Sequence, residues 1–436
     1  MLDRSLESKL TVRKFEGEFL IPSYEDFCLS NVPSTISAFL GLETKRPTLP
    51  LQYISDKIEL GDIQNVILLV LDGFGYDAWL RSMSDHNLFQ AVTEKGLVFP
   101  ISTVFPTTTA AALTTLSTGL TPQEHGLPEW YVYMKELDMI VTTLPFTPMG
   151  EGGRDTLVGK ADPSILLSAD TVHSSFANSG VDSISLLPAP IMRSAYTKLS
   201  LKGSRIVPYY SLADYAVTLR KQLRTKEKKK FIYAYWDSID SSAHVYGPSS
   251  DETRAEIASF SSVMKNEFLG RLDRASAEKT LLLITADHGQ INVSPQDTVY
   301  LNRYPRIVSS FKRSRRGRAI LPSWSPRDMV LHLKDDMADQ VQAALSEALE
   351  EEAVVLKINE AIKMGLFGLN KPGRRFLDRA GDLLILPRQK NLVWYEHTKG
   401  KLFDLIGVHG GLTESEVLIP FAVSKLSDLT SVQSPL

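Results

Sequence analysis

Residues 66–75 read Val-Ile-Leu-Leu-Val-Leu-Asp-Gly-Phe-Gly. The apolar run Val66 to Leu71 is continuous rather than alternating, rich in β-branched residues and short, which is the pattern of a strand buried on both faces in a parallel sheet. It stops at Asp72-Gly73. The same shape recurs at Phe231 to Trp236, followed by Asp237 and Asp240, and at Leu281 to Thr285, followed by Asp287-His288-Gly289. Ligands of open parallel sheets bind beyond the carboxyl ends of the strands, so Asp72, Asp240 and Asp287 are candidates to share one site.

Between the first two runs, Thr107 to Thr118 (TTTAAALTTLST) is a small-residue helix candidate, opened by Pro106 and the threonines and closed by Gly119 with Pro122 beyond. Thr109 falls in its first turn, where free N–H groups and the helix dipole favour an anion. Beyond His288 the pattern changes. Met329 to Leu333, Ala353 to Ile358 and Asp382 to Leu386 read as strands, and Asp336 to Glu350 carries Met337, Val341, Ala344, Leu345, Ala348 and Leu349 at helical spacing. The chain then returns through Gly407 to Gly411 (GVHGG) to a last apolar run, Val417 to Val423. The expected architecture is an α/β/α sandwich with a mostly parallel central sheet and a small inserted α/β cap. Its expected boundaries are a metal-binding core at 1–290, the cap at 291–400 and a return to the core at 401–436.

The 436 residues are 43% hydrophobic and 23% charged, with 48 basic and 51 acidic side chains for a net charge of -3. That composition excludes disorder, collagen and a small disulfide scaffold, and gives no global electrostatic reason to bind nucleic acid or an anionic membrane. Cys28 is the single cysteine, which excludes an intramolecular disulfide and any cysteine-built metal site. The N-terminal stretch MLDRSLESKLTVRKFEG is charged throughout and lacks an apolar core, and no run reaches the ~18 apolar residues of a membrane span. The expectation is a cytoplasmic protein without a membrane partner.

Collected at the strand ends are Asp72, Thr109, Asp240, His244, Asp287, His288 and His409. Taken singly, Asp72 reads as a turn former, Thr109 as a helix cap, Asp240 and His244 as loop residues and Asp287-His288 as a surface turn. Jointly, carboxylates, imidazoles and a hydroxyl are the donor set for two divalent cations, which suits polarisation of a phosphoryl group from both sides.

The blocks VILLVLDGFGYD, FPTTTAAALTTLSTGLTPQEHGL, DSSAHVYGP, ITADHG and VHGG resemble, in order, the motif blocks of the alkaline phosphatase superfamily, and specifically its type I phosphodiesterase/nucleotide pyrophosphatase branch. The resemblance implies one metal site at Asp72, Thr109, Asp287 and His288, with Thr109 as nucleophile, and a second at Asp240, His244 and His409. It implies zinc as the usual metal, with manganese or iron also compatible. The implied activity is hydrolysis of phosphodiester or pyrophosphate bonds in a small phosphoester substrate. A phosphomonoesterase, a phosphonate hydrolase and an anion-binding scaffold without turnover are the alternatives.

Two positions depart from the nucleotide-cleaving pattern. Ala110 stands where those members place an aromatic after the threonine, and Trp130 stands where they carry an asparagine. A phosphate oxygen then lacks its expected donor unless Trp130, Tyr131 or Tyr133 supplies one. His125 reads as a helix-end residue, Asp237 as a hydrogen-bonding neighbour of the site, and His86, His173, His332 and His397 have no partner pattern. The basic run Lys312, Arg313, Arg315, Arg316 and Arg318 reads as a solvated loop, with an anion clamp as the alternative.

Overall fold

The three apolar runs form neighbouring strands. The computed structural model describes residues 1–84, 87–224 and 228–430, and His86 lies outside the described residues. The central sheet holds β1 (Asn65–Leu71), β2 (Leu97–Ser102), β3 (Asp182–Pro188), β4 (Arg205–Tyr209), β5 (Lys230–Trp236), β6 (Thr280–Thr285) and β7 (Leu418–Lys425), in the spatial order β2-β7-β6-β1-β5-β3-β4. β1 pairs in parallel with β5 and β6, and β3 in parallel with β5 and β4. Only β7 opposes the others, lying antiparallel between β6 and β2. Every residue of β1, β2, β5 and β6 is buried, as strands covered on both faces must be. The sheet is thus the core of a mixed α/β fold with a mostly parallel central sheet.

Register places the chemistry. Leu71 lies opposite Trp236 and Val70 opposite Thr285, so the acids that follow β1, β5 and β6 emerge side by side at one edge. Two helices complete that edge. α1 (Thr109–Thr118) begins two residues later than the threonine pattern suggests, because Thr108 takes the capping position, and it ends at Gly119 in the left-handed region with φ 69°. α2 (Ser238–Tyr246) carries Asp240 and His244 one turn apart. The sequence reading treated this stretch as a loop; Asp-Ser-Ser is turn-like in composition, and only tertiary packing decides it.

Between His288 and Gly407, Val330–Leu331, Leu383–Pro387 and Ala353–Lys357 form an antiparallel sheet with Leu383–Pro387 central. α3 (Ala338–Ala348) packs there by a narrow seam in which Val341, Leu345 and Leu349 are buried, while Ala344 and Ala348 face solvent. These residues share a hydrophobic cluster with Leu331, Val355, Ile385 and Val393, separate from that of the main sheet. A buried ion pair ties this segment back to the core: Arg327 donates to both Glu416 oxygens at 3.0 and 2.9 Å, with both side chains 0% exposed. Another small antiparallel sheet, Tyr131–Met134, Met139–Thr142 and Thr147–Pro148, was not foreseen, since strands of two to four residues carry too little pattern.

Candidate active site

The consecutive threonines of FPTTT have different partners. Thr107 accepts from the Gly410 N–H at 2.9 Å and donates to the Gly411 carbonyl at 2.9 Å, so it holds the loop that carries His409. Thr108 caps α1 by accepting from the Ala111 N–H at 3.4 Å. The Thr109 hydroxyl is left to face His288 Nε2 at 3.1 Å.

His288 Nε2 also lies 3.3 Å from Asp287 Oδ2 and 3.5 Å from Asp72 Oδ1. Asp72 follows β1 directly and takes a hydrogen bond from Tyr235 on β5, while Asp287 Oδ1 accepts the Gly73 N–H at 3.1 Å. Gly73 itself has φ +70°, and a Cβ there would stand 3.1 Å from Asp240, so glycine is required both by conformation and by the approach of α2 to β1. On α2, Asp240 Oδ2 lies 3.3 Å from His244 Nε2, and Asp240 Oδ1 lies 3.9 Å from His409 Nε2 and accepts from Gln290. The His288 and His409 rings stack with centroids 3.7 Å apart.

Each of these histidines holds a backbone carbonyl with its other nitrogen. Nδ1 of His244 meets the Gly407 carbonyl at 2.7 Å, that of His409 the Thr107 carbonyl at 2.9 Å, and that of His288 the Gly289 carbonyl at 3.1 Å. A carbonyl only accepts, so Nδ1 carries the proton and Nε2 turns a lone pair toward the carboxylates. Something positive belongs in each gap. At His244 a proton serves: burial alone would lower its pKa, but the Asp240 charge overrides this and raises it to about 9. For Asp72, burial and then the charges of Asp287 and Asp240 push the carboxyl well above the usual range.

All seven residues singled out in the sequence therefore meet at one edge of the sheet. Ligand atoms of Asp240, His244 and His409 lie within 4.8 Å of one another, as do those of Asp72, Asp240 and His288. A family model described as type I phosphodiesterase/nucleotide pyrophosphatase matches residues 66–412. The chain belongs to the type I phosphodiesterase/nucleotide pyrophosphatase family. It is a phosphoric ester hydrolase, and the family is dependent on divalent metal.

Among solved structures it is similar to murine ectonucleotide pyrophosphatase/phosphodiesterase 5, at 19% identity and TM-score 0.64, over 85% of this chain and 94% of that one. An inactive form of the same murine protein in complex with AMP aligns at 18% identity and TM-score 0.62, over 85% and 93% of the two chains. Phosphonoacetate hydrolase from Sinorhizobium meliloti, in complex with phosphonoformate, aligns at 18% identity and TM-score 0.56, over 84% and 94%. At these identities the likeness is one of fold. A search of curated proteins finds no match.

The residues present fit the divalent metal of this phosphodiesterase family. Asp72 Oδ1 and Asp287 Oδ2 are buried oxygens without a hydrogen-bond partner, in contact with an imidazole nitrogen whose proton is committed elsewhere. Such a convergence of electron pairs is repulsive until a cation joins it. Asp240 stands in both groups, so the two candidate sites share a wall.

Two cavities open from this floor. One of about 900 Å³ is lined by Thr109, His244 and His409 below, and by Trp130, Tyr131, Trp394, His397 and Phe403 from the unforeseen small sheet and the inserted segment. The other, about 210 Å³, reaches Asp72, Thr109, Tyr235 and Asp237. Of the basic run, Arg318 lines the large cavity, while Arg313 bonds the Gly317 carbonyl and the Arg315 and Arg316 N–H groups bond Asp138. These bonds make the run a surface turn.

The remaining histidines have local partners. His125 bonds Thr115 and the Leu127 N–H at the end of the short helix Pro122–His125. His173 bonds Ser183, and His332 packs edge-on against Tyr133. Sequence reasoning missed Tyr235 and Gln290, which touch Asp72 and Asp240. A tyrosine hydroxyl one residue before the end of a fully buried strand was the available signal for the first. Among the described residues no helix is long and apolar enough to cross a membrane.

Proposed function

We propose that the protein hydrolyses phosphodiesters with Thr109 as nucleophile, one divalent cation being held by Asp72, Asp287, His288 and Thr109, and a second by Asp240, His244 and His409. The observation that carries this reading is the position of the Thr109 hydroxyl, 3.1 Å from His288 Nε2 at the start of α1, with the neighbouring threonines engaged elsewhere. Bound cations supply a field that acidifies the hydroxyl and neutralises charge on the phosphoryl oxygens. The first-turn N–H groups and dipole of α1 favour the same anion. Thr109 Oγ attacks phosphorus, the ester P–O bond opposite breaks, and the leaving alkoxide takes a proton. Water then cleaves the Thr109 ester and restores the hydroxyl. Zinc suits the mixed imidazole and carboxylate donors, and manganese or iron also accept them. We take residues 291–400 as a cap over the cleft, on the ground that Trp394 and His397 line it.

The test is substitution of the nucleophile. Thr109→Ala is expected to keep its fold and most of its metal while hydrolysis of an aryl phosphodiester falls by about three orders of magnitude or more, and Thr109→Ser to keep part of the rate. Near wild-type turnover by Thr109→Ala would remove the mechanism.

A further inference from the structure

We infer that the site is built for unsymmetrical phosphodiesters, with a small alcohol on the arm that stays bonded to phosphorus and a large aromatic or aliphatic alcohol as the leaving group. This rests on the reading of Thr109 as nucleophile.

Thr109, Trp130 and Asp240 line both cavities, so Trp130 stands as a partition above the reacting centre. The cavities differ in size. The smaller, at about 210 Å³, holds roughly seven waters at ~30 Å³ each, below the ~300–1,000 Å³ of drug-sized pockets. Ser117, Ser241 and Arg154 line it beside Leu113, Leu144 and Leu187. That is room for an alcohol of a few carbons. The larger, at about 900 Å³, lies near the top of the same range and is walled by Trp130, Tyr131, Met139, Ile140, Trp394 and Phe403. Its rim carries Leu402, 60% exposed.

The two arms can be told apart. In-line displacement sends the leaving oxygen away from Thr109 Oγ, which is grouped with His288 and Asp72. Asp72 lines only the small cavity, whereas His244 and His409 line only the large one. The departing alcohol therefore exits into the large cavity.

The experiment compares methyl, glyceryl and 5′-thymidylyl esters of 4-nitrophenyl phosphate, and sets glyceryl 4-nitrophenyl phosphate beside its 4-nitro-2-octylphenyl analogue. Burying added methylenes against the aromatic wall strengthens binding, so the octyl-bearing leaving group is expected to raise kcat/KM at least about tenfold. The thymidylyl ester is expected to be slower than the glyceryl ester by a similar factor. Trp130→Ala should flatten the second preference by opening the partition. Preference for the thymidylyl arm, or for the smaller leaving group, overturns the assignment. Calorimetric binding of the same diesters to Thr109→Ala separates the two claims. If that variant still turns over, Thr109 loses its role, yet tighter binding of the octyl-bearing diester continues to support the two-arm assignment and equal binding overturns it.

Discussion

At the scale of single residues, Asp240 has a position no other ligand candidate shares. It faces His244 at 3.3 Å and His409 at 3.9 Å, and its ligand atoms also close the group formed with Asp72 and His288. Loss of Asp240 should therefore be felt on both sides, and loss of His244 on one. In Asp240→Ala, elemental analysis is expected to show the second site emptied and the first, whose wall Asp240 forms, weakened; in His244→Ala about one equivalent should remain, because Asp72, Thr109, Asp287 and His288 are untouched. Equal retention in the two variants would break the two-site division. The sequence could offer these residues as candidates because each follows a buried strand or sits in a glycine-bounded turn. It could not show that Thr107 and Thr108 are already occupied, which is what singles out Thr109 among three identical side chains.

At the scale of elements, the ion pair between Arg327 and Glu416 joins the inserted segment to the loop of His409. Glu416 accepts from Arg327 and from the Gly411 N–H at 3.0 Å, and Arg327 also donates to the Asn391 carbonyl at 2.6 Å. A fully buried charge left without its partner is costly, so Arg327→Ala is expected to destabilise by about 3–5 kcal/mol, and Arg327→Met with Glu416→Leu to recover much of that. Denaturant unfolding measures both. A single variant within about 0.5 kcal/mol of wild type would show that the segment is not anchored there. Nothing in the sequence pairs residues 327 and 416: no periodicity relates them, and only the folded return of the chain does. The same is true of α2, where Asp-Ser-Ser favours a turn and the packing of Gly73 against Asp240 decides for helix.

At the scale of the whole molecule, the main sheet was legible because strands buried on both faces are continuous apolar runs, and the acids that follow them mark its working edge. The cavity walls were not legible, since they come from the small sheet near Trp130 and from residues around Trp394 and Phe403, brought together only by the fold. Under the proposed ligand assignment a cation would join residues as distant in sequence as Asp72, Asp240, Asp287 and His409, so it should also stabilise the fold that brings them together. Removal of metal by chelation is expected to lower Tm by about 5 °C or more, with recovery on adding zinc, because a ligand that binds only the folded state shifts the equilibrium toward it. An unchanged Tm would mean that the carboxylates converge without a cation.

The place of β7 has a consequence for how the chain is made. β7 is inserted between β6 and β2, yet residues 418–425 come after every other strand of that sheet. At about 5–20 residues per second, the ribosome delivers β2 some tens of seconds before the strand that will cover it. Once made, β2 and later β6 each present an unpaired edge until β7 arrives, the template on which nascent chains stick to one another. Production of this enzyme in a host therefore depends on how long chaperones can shield those two edges, and a polysome stalled anywhere short of β7 carries an open sheet.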